Sequence, residues 1–450
     1  MRVTPPGGVA IITACLKRAG YHNIELFDAT WYPVDKQEVF TQPDRDVERA
    51  KRQMFPEYKW ERDDLDPSFF MLEDTDMYTS FRKKVIDFKP DVIISSIVED
   101  TYYIWNKFMD QVTDRKFINV VGGVFVTYYP QAFEGKCDYI CRGEGDEAIP
   151  ELMNMIEQGK DGHHLQNFYP NPMRPALNVN TLPPTDHEIF DKRSLYRPFQ
   201  GKIIKIATVE TQRGCPFKCK FCNSPSNAGL YKEETDTFFF RKRNVQHQEE
   251  EIKHLIDTVQ VEFLWIVTDT FLTMSKKGFD EWAEMYSKYK IPFFTQTRPE
   301  LLTPYQARTL KELGCVKMNM GVEHGDPEFR RKVVGRIYEN QKAIDAFAIA
   351  REAGLSTTCN FIIGYPYETM DNCMKSVELA AQLGCNDTNA FIYTPYHGTP
   401  MRDMCVDAGF VDKDLIVEMK SDDQLSYLDM PPPYMSKKEI QYMFNNFVRL

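Results

Sequence analysis

With 450 residues the chain is long enough for two or three domains with substantial cores. Its 42% hydrophobic and 27% charged residues are ordinary for a soluble globular protein, and no apolar run approaches the length that crosses a bilayer. A net charge of -11 argues against a broad nucleic-acid or anionic-membrane surface, so neither a nucleic-acid partner nor a membrane span is expected.

The first third alternates strands and helices. The patterns predict a helix over 8–18 and strands over 24–27, 91–95, 117–121 and 138–141, with helices over 102–112 and 147–156 between and after them. This is a doubly wound, flavodoxin-like pattern, assigned to residues 1–165. The chain starts Met1-Arg2-Val3-Thr4-Pro5-Pro6, so the opening strand of such a sheet is almost absent; the expectation is a fragment or a misplaced start. Residues 32–76 form a long charged insertion with little periodicity, expected as a surface excursion. Residues 166–200 read as a linker, because 171–184 are rich in Pro and Asn.

From Ile203 onward, short β-rich runs alternate with longer helical stretches. Strands are predicted over 203–209, 261–267, 293–296, 316–322, 357–363 and 389–394. Ile252, Leu255, Ile256 and Val259 mark an amphipathic helix after the first, and further helices fall over 279–289, from Pro304 to Gly314, over 341–353 and over 373–383. Six βα units over 201–400 suit a parallel sheet curled into a partial (β/α)6 barrel, with its site at the strand C-terminal ends. Residues 401–450, with Pro431-Pro432-Pro433 and an uncapped helix over 437–450, read as an extension over the barrel mouth.

Directly after the first barrel strand come Cys215, Cys219 and Cys222. This CxxxCxxC run offers three thiolates from one loop, one fewer than a closed tetrahedral zinc site or a fully ligated [4Fe–4S] cluster needs. Three ligands on a four-iron cluster leave one iron open to a substrate or cofactor; a zinc loop completed by a distant cysteine or histidine is the alternative. Eleven cysteines is an odd number for a disulfide framework, and no signal peptide is recognisable. The other eight (Cys15, Cys137, Cys141, Cys315, Cys359, Cys373, Cys385, Cys405) therefore read as reduced thiols, and the expected location is the cytoplasm.

The string from Arg213 to Asn223 closely resembles the signature of the radical S-adenosylmethionine (SAM) superfamily, including the aromatic Phe221 that sits beside the adenine in that family. Most of the chain resembles the branch with an N-terminal cobalamin (B12)-binding domain. The matching strings are Thr4-Pro-Pro-Gly-Gly-Val, Val120-Val-Gly-Gly-Val, Cys141-Arg-Gly-Glu-Gly-Asp-Glu, Arg241-Lys-Arg-Asn, Thr268-Asp-Thr-Phe, Thr295-Gln-Thr-Arg, Gly321-Val-Glu-His-Gly and Phe361-Ile-Ile-Gly-Tyr-Pro-Tyr-Glu. The resemblance implies a [4Fe–4S] cluster on Cys215, Cys219 and Cys222, whose open iron chelates SAM, and reductive cleavage of SAM to a 5′-deoxyadenosyl radical. SAM presents an ammonium, a carboxylate, a ribose diol and an adenine. Asp269 is placed to accept from the ammonium, Arg298 to pair with the carboxylate, Glu323 to accept from the ribose, and Gly364 to let the backbone approach the adenine. Gly122, Gly123, Gly143 and Gly145 would admit the nucleotide loop of cobalamin, although no Asp-x-His-x-x-Gly string supplies a cobalt ligand. His324 is expected to be a satisfied surface residue, and Tyr365, Tyr367, Tyr393 and Tyr396 crowd the mouth side of the last strands.

The function so implied is a cobalamin-dependent radical SAM enzyme. It would methylate a small-molecule or lipid-like substrate, or run a cyclisation or rearrangement, with an external electron donor such as flavodoxin or ferredoxin. Radical SAM chemistry without cobalamin is the second reading, and a non-catalytic iron–sulfur or zinc-binding protein the third. No residue acting on the substrate can be named from the sequence.

Overall fold

The computed structural model describes residues 5–32, 65, 67–70, 72–199, 202–418 and 426–450. In the N-terminal unit, β1 (Val92–Ser96), β2 (Ile118–Gly122) and β3 (Tyr139–Ile140) form a parallel sheet in that order. Val120 and Val121 of β2 are fully buried, one against Leu16, Ile149 and Leu152, the other against Phe125 and Phe133. Helices Gly7–Arg18, Met77–Phe88, Tyr102–Asp110 and Ala148–Glu157 flank the sheet.

Residues 24–27, expected to be a strand, carry no ladder pairing. In a doubly wound sheet this segment pairs only with the opening strand. That opening strand was expected to be almost absent, and residues 1–4 lie outside the described residues. Without a neighbour's N–H and C=O groups an extended run is not a strand. Its side chains are held laterally instead: Ile24 joins the cluster around Leu16, and Phe27 packs edge-on against Phe81 and Phe108, with ring centroids 5.2 and 5.5 Å away. Most of the charged insertion expected over 32–76 lies outside the described residues.

The stretch read as a linker is packed rather than loose. Leu177, Val179 and Leu182 bury against Ile11 and Cys15, and Thr185 donates its N–H to Glu251 of the barrel at 3.1 Å. It also holds an element not expected from the sequence, β4 (Tyr196–Phe199), which pairs antiparallel with β5 (Lys202–Glu210) at the sheet edge, where Pro198 is tolerated.

Beyond β5 come the short pair β6 (Gln212–Arg213) and β7 (Arg241–Lys242), then β8 (Phe263–Val267), β9 (Phe293–Thr297), β10 (Cys315–Glu323), β11 (Ser356–Ile363) and β12 (Asp387–Ile392). The large sheet runs β12-β11-β10-β9-β8-β5-β4, and β5 and β8 to β12 are mutually parallel. These are the six strands expected of a partial barrel. One face is apolar (Leu264, Ile266, Phe293, Met318, Met320, Cys359, Phe361, Ile363) and packs on the helix layer in the main core. Side-chain caps start the helices: Asn244 caps Val245–Val259, and a Thr303/Gln306 capping box opens Pro304–Glu312.

Helix Lys437–Asn446, started by a Ser436/Glu439 capping box, completes this outer layer rather than covering the lumen. Phe447 packs on Phe361 at 5.4 Å, and Ile440 lies against Gly364. No described helix is long and apolar enough to cross a membrane.

Candidate functional site

The cysteine loop leaves the C-terminal end of β5 through the β6/β7 pair. Gly214 turns it with φ +85°, and a side chain there would begin 2.9 Å from the ring of Phe239. The far side of the loop is braced by residues 334–335: Lys220 donates its N–H to Val334 O at 3.0 Å, and a Cβ on Gly335 would sit 2.7 Å from Lys218 O. Cys222 caps helix Asn223–Thr235, its sulfur accepting the Ser224 N–H at 3.5 Å. Cys215 Sγ lies 3.6 Å from Thr270 Oγ1. Cys219, 6% exposed, faces two guanidinium groups: Arg336 Nε at 3.3 Å and Arg298 Nη1 at 3.6 Å. Burial pushes the Cys215 thiol up and the Cys222 thiol up to about 12. These sulfurs become thiolates when a cation binds them. Among the described residues, no group of three or more His, Cys, Asp or Glu side chains converges as on one metal ion.

The other expected residues gather around this loop. Asp269, just past β8, accepts from Ser224 Oγ at 2.9 Å, and burial raises its pKa. Glu323 ends β10 in a left-handed conformation, φ +71°, and pairs with Arg336 Nη2 at 3.0 Å with both side chains 9% exposed. Arg298 stacks over Phe217, 3.8 Å from the ring centroid, and bonds Glu300 at 2.7 Å. Phe221 lies 6.1 Å from the Tyr365 ring. Gly364 turns the end of β11 at φ +73°, its N–H held by Glu368.

Three residues that the sequence reasoning passed over complete the geometry. Arg336 joins Glu323 to Cys219, Ser224 joins Asp269 to the cysteine loop, and fully buried Glu368 holds the Gly364 turn. Glu368 also accepts from Tyr365 N–H at 3.0 Å and lies 3.1 Å from His324 Nε2. His324 is therefore not at the surface: it is 0% exposed and stacked on Phe329 at 4.4 Å. It does point to the opposite side from Glu323, but that side is core.

The four glycines of the N-terminal unit line one cavity of about 1850 Å³, together with Thr208, Glu210, Trp265 and Val267 of the barrel. That is larger than the roughly 300–1,000 Å³ of a drug-sized site. Gly123, φ +110°, lets β2 turn within 2.6 Å (Cβ position to carbonyl oxygen) of Ile97. Gly143, φ +70°, makes room for Tyr231 of the helix that follows the cysteines, and Gly145 for Ile149 and Ile12. Between them Glu144 binds Arg213 and Arg241 at 2.8 Å, and Asp146 binds Arg213 at 2.9 Å, a buried charge clamp across the two units. Tyr128 Oη donates to Asn223 O at 3.0 Å, one residue past Cys222.

The family model of the radical SAM superfamily matches residues 209–380, and that of the B12 binding domain matches residues 51–153. The chain is a radical SAM protein with a B12-binding domain. An uncharacterized methyltransferase of Pyrococcus horikoshii is 26% identical over 342 residues, covering 72% of this chain and 71% of that protein. Anaerobic magnesium-protoporphyrin IX monomethyl ester cyclase of Cereibacter sphaeroides is 22% identical over 425 residues, covering 88% of this chain but only 60% of the relative. The solved structure of radical S-adenosylmethionine methyltransferase TsrM from Kitasatospora setae, with cobalamin and a [4Fe–4S] cluster bound, is similar in fold. It gives a TM-score of 0.63 at 15% identity over 98% of this chain and 84% of that one.

A radical SAM domain implies a [4Fe–4S] cluster and SAM, and a B12-binding domain implies cobalamin. The residues of this radical SAM protein fit both. Its donor set is three sulfurs on one loop, with two guanidinium groups to balance an anionic cluster, and a cavity of about 1850 Å³, large enough for a bulky cofactor, is lined by residues of both the N-terminal unit and the barrel.

Proposed function

We propose that this radical SAM protein is a cobalamin-dependent enzyme that methylates a small-molecule or lipid-like substrate; cyclisation or rearrangement are the other outcomes open to the same cofactors. When bound, the cluster and SAM supply a 5′-deoxyadenosyl radical and cobalamin supplies a methyl group. Cys215, Cys219 and Cys222 hold the cluster. Asp269 accepts the SAM ammonium, its carboxylate aimed by Ser224. Arg298 holds the SAM carboxylate, fixed in place by Glu300 and Phe217. Glu323 accepts from the ribose, held by Arg336, while Gly364 and Phe221 flank the adenine. Gly122, Gly123, Gly143 and Gly145 border the space for cobalamin. Residues 1–165 form the cobalamin unit, 166–200 the connection, 201–400 the barrel and 401–450 the extension. An external donor such as flavodoxin or ferredoxin supplies the electron.

The observation that carries this reading is the gathering of Asp269, Arg298 and Glu323 around a three-cysteine loop whose flanks, Arg213 and Asn227, line the cavity shared with the B12-binding domain. The relatives named as methyltransferases support methyl transfer as the outcome. The test is anaerobic reconstitution with iron, sulfide and hydroxocobalamin, followed by ultraviolet–visible spectra and assay of 5′-deoxyadenosine with SAM and reductant. A corrinoid band together with 5′-deoxyadenosine is the expected result. Release without the band assigns radical chemistry that needs no cobalamin; no release from protein with a full cluster assigns a binding protein.

A further inference from the structure

Cys359 and Cys385 lie away from the cluster loop, toward the N-terminal ends of β11 and β12. Their sulfurs are 3.0 Å apart, and Thr388 Oγ1 bridges them at 3.2 and 3.3 Å. A disulfide bond measures about 2.0 Å, so closure asks about 1 Å of sulfur movement. The backbone around the pair is pinned. Asn386 donates its N–H to Thr357 O at 3.1 Å and accepts the Thr357 N–H on its side-chain oxygen at 2.9 Å, which fastens the segment carrying Cys385 to the strand carrying Cys359. Access is unequal: Cys359 is fully buried and Cys385 is half-buried.

We propose that Cys359 and Cys385 are a reversible disulfide site, oxidised by hydroperoxides and reduced by thiol–disulfide exchange, independent of the iron–sulfur chemistry. The division of labour follows from the asymmetry. The hydrogen bond between the two sulfurs lowers the thiol of Cys385, the more exposed of the pair, and favours its thiolate, while the same contact raises Cys359. Cys385 sulfur attacks one peroxide oxygen; the S–O bond forms, the O–O bond breaks, and the departing alkoxide or hydroxide takes a proton from water. Cys359 sulfur then attacks Cys385 sulfur; the S–S bond forms, the S–O bond breaks, and hydroxide leaves as water with the Cys359 proton. Two thiols give up two electrons and one peroxide takes them, which balances the reaction.

The test uses the full chain, reconstituted with its cluster under anaerobic conditions, given one equivalent of hydrogen peroxide, alkylated at intervals and mapped without reduction. The linked peptide joining Cys359 to Cys385 should form at least about tenfold faster than Cys137 is consumed, since burial pushes the Cys137 thiol up to about 12, and dithiothreitol should erase it. In C359S the Cys385 sulfenic acid should persist and be trapped by dimedone; in C385S Cys359 should stay reduced. Wild-type protein that oxidises Cys137 or other thiols while leaving this pair reduced, or that joins Cys385 to a different cysteine, overturns the proposal whatever the variants do.

Discussion

Replacing Arg336 with Met removes one guanidinium that serves both Glu323 and Cys219. The Arg336–Glu323 pair is 3.0 Å long with both side chains 9% exposed, and Arg336 also donates to Gly321 O. Breaking a buried pair from one side leaves an uncompensated charge and costs about 3–5 kcal/mol. Taking ~3 kcal/mol for a unit of about 200 residues, the melting temperature should fall by about 6–12 °C. Burial already holds the Glu323 carboxyl above its usual range, against the pull of Arg336, so in R336M it rises further. A carboxyl that binds its proton more tightly folded than unfolded contributes least penalty below about pH 4, where both states are protonated, and the deficit grows as pH climbs through the folded value. Urea titrations of apo protein at pH 5 and pH 8 should therefore show the larger loss at pH 8, and the double variant E323Q/R336M should recover most of it. A loss under about 1 kcal/mol at pH 8, or a double variant no more stable than R336M, would refute the pairing argument.

Three other changes test separate parts of the site. C219A should abolish the cluster absorbance and 5′-deoxyadenosine release, and because it also takes the sulfur acceptor from buried Arg336 Nε and Arg298 Nη1 it should cost the apo protein about 1–3 kcal/mol by urea unfolding. G123A must place a Cβ 2.6 Å from Ile97 O at φ +110°, so it should destabilise the N-terminal unit by about 2 kcal/mol and weaken corrinoid binding; normal stability with normal binding would contradict the close approach. E368A strands the N–H groups of Gly364 and Tyr365 and leaves His324 without its carboxylate, a loss on the order of 3 kcal/mol by thermal or urea unfolding.

The barrel strands were legible because each is a short β-rich run followed by a helical stretch, and Asp269, Arg298 and Glu323 drew notice because they sit at or just past the ends of those strands. What escaped depends on tertiary partners. Arg336 reaches Cys219 across 117 residues of sequence, from a turn with no pattern of its own. Helix Asn223–Thr235 has no apolar stripe; it exists because Cys222 caps it and Tyr231 buries beneath Gly143. His324 was expected at the surface because alternation places it opposite Glu323, yet that side meets the helix layer, where Glu368 waits for it. Residues 24–27 have strand composition, but a strand is a pairing, and pairing is not written in composition.

The most direct measurement is electron paramagnetic resonance of the dithionite-reduced, reconstituted protein before and after addition of SAM. A cluster held by three cysteines should give a spin-half signal whose g-values move when SAM binds the free iron, in wild type but not when Cys215, Cys219 and Cys222 are all replaced by Ala. A signal indifferent to SAM, or a preparation whose loop carries a single divalent ion in place of iron and sulfide, would contradict it.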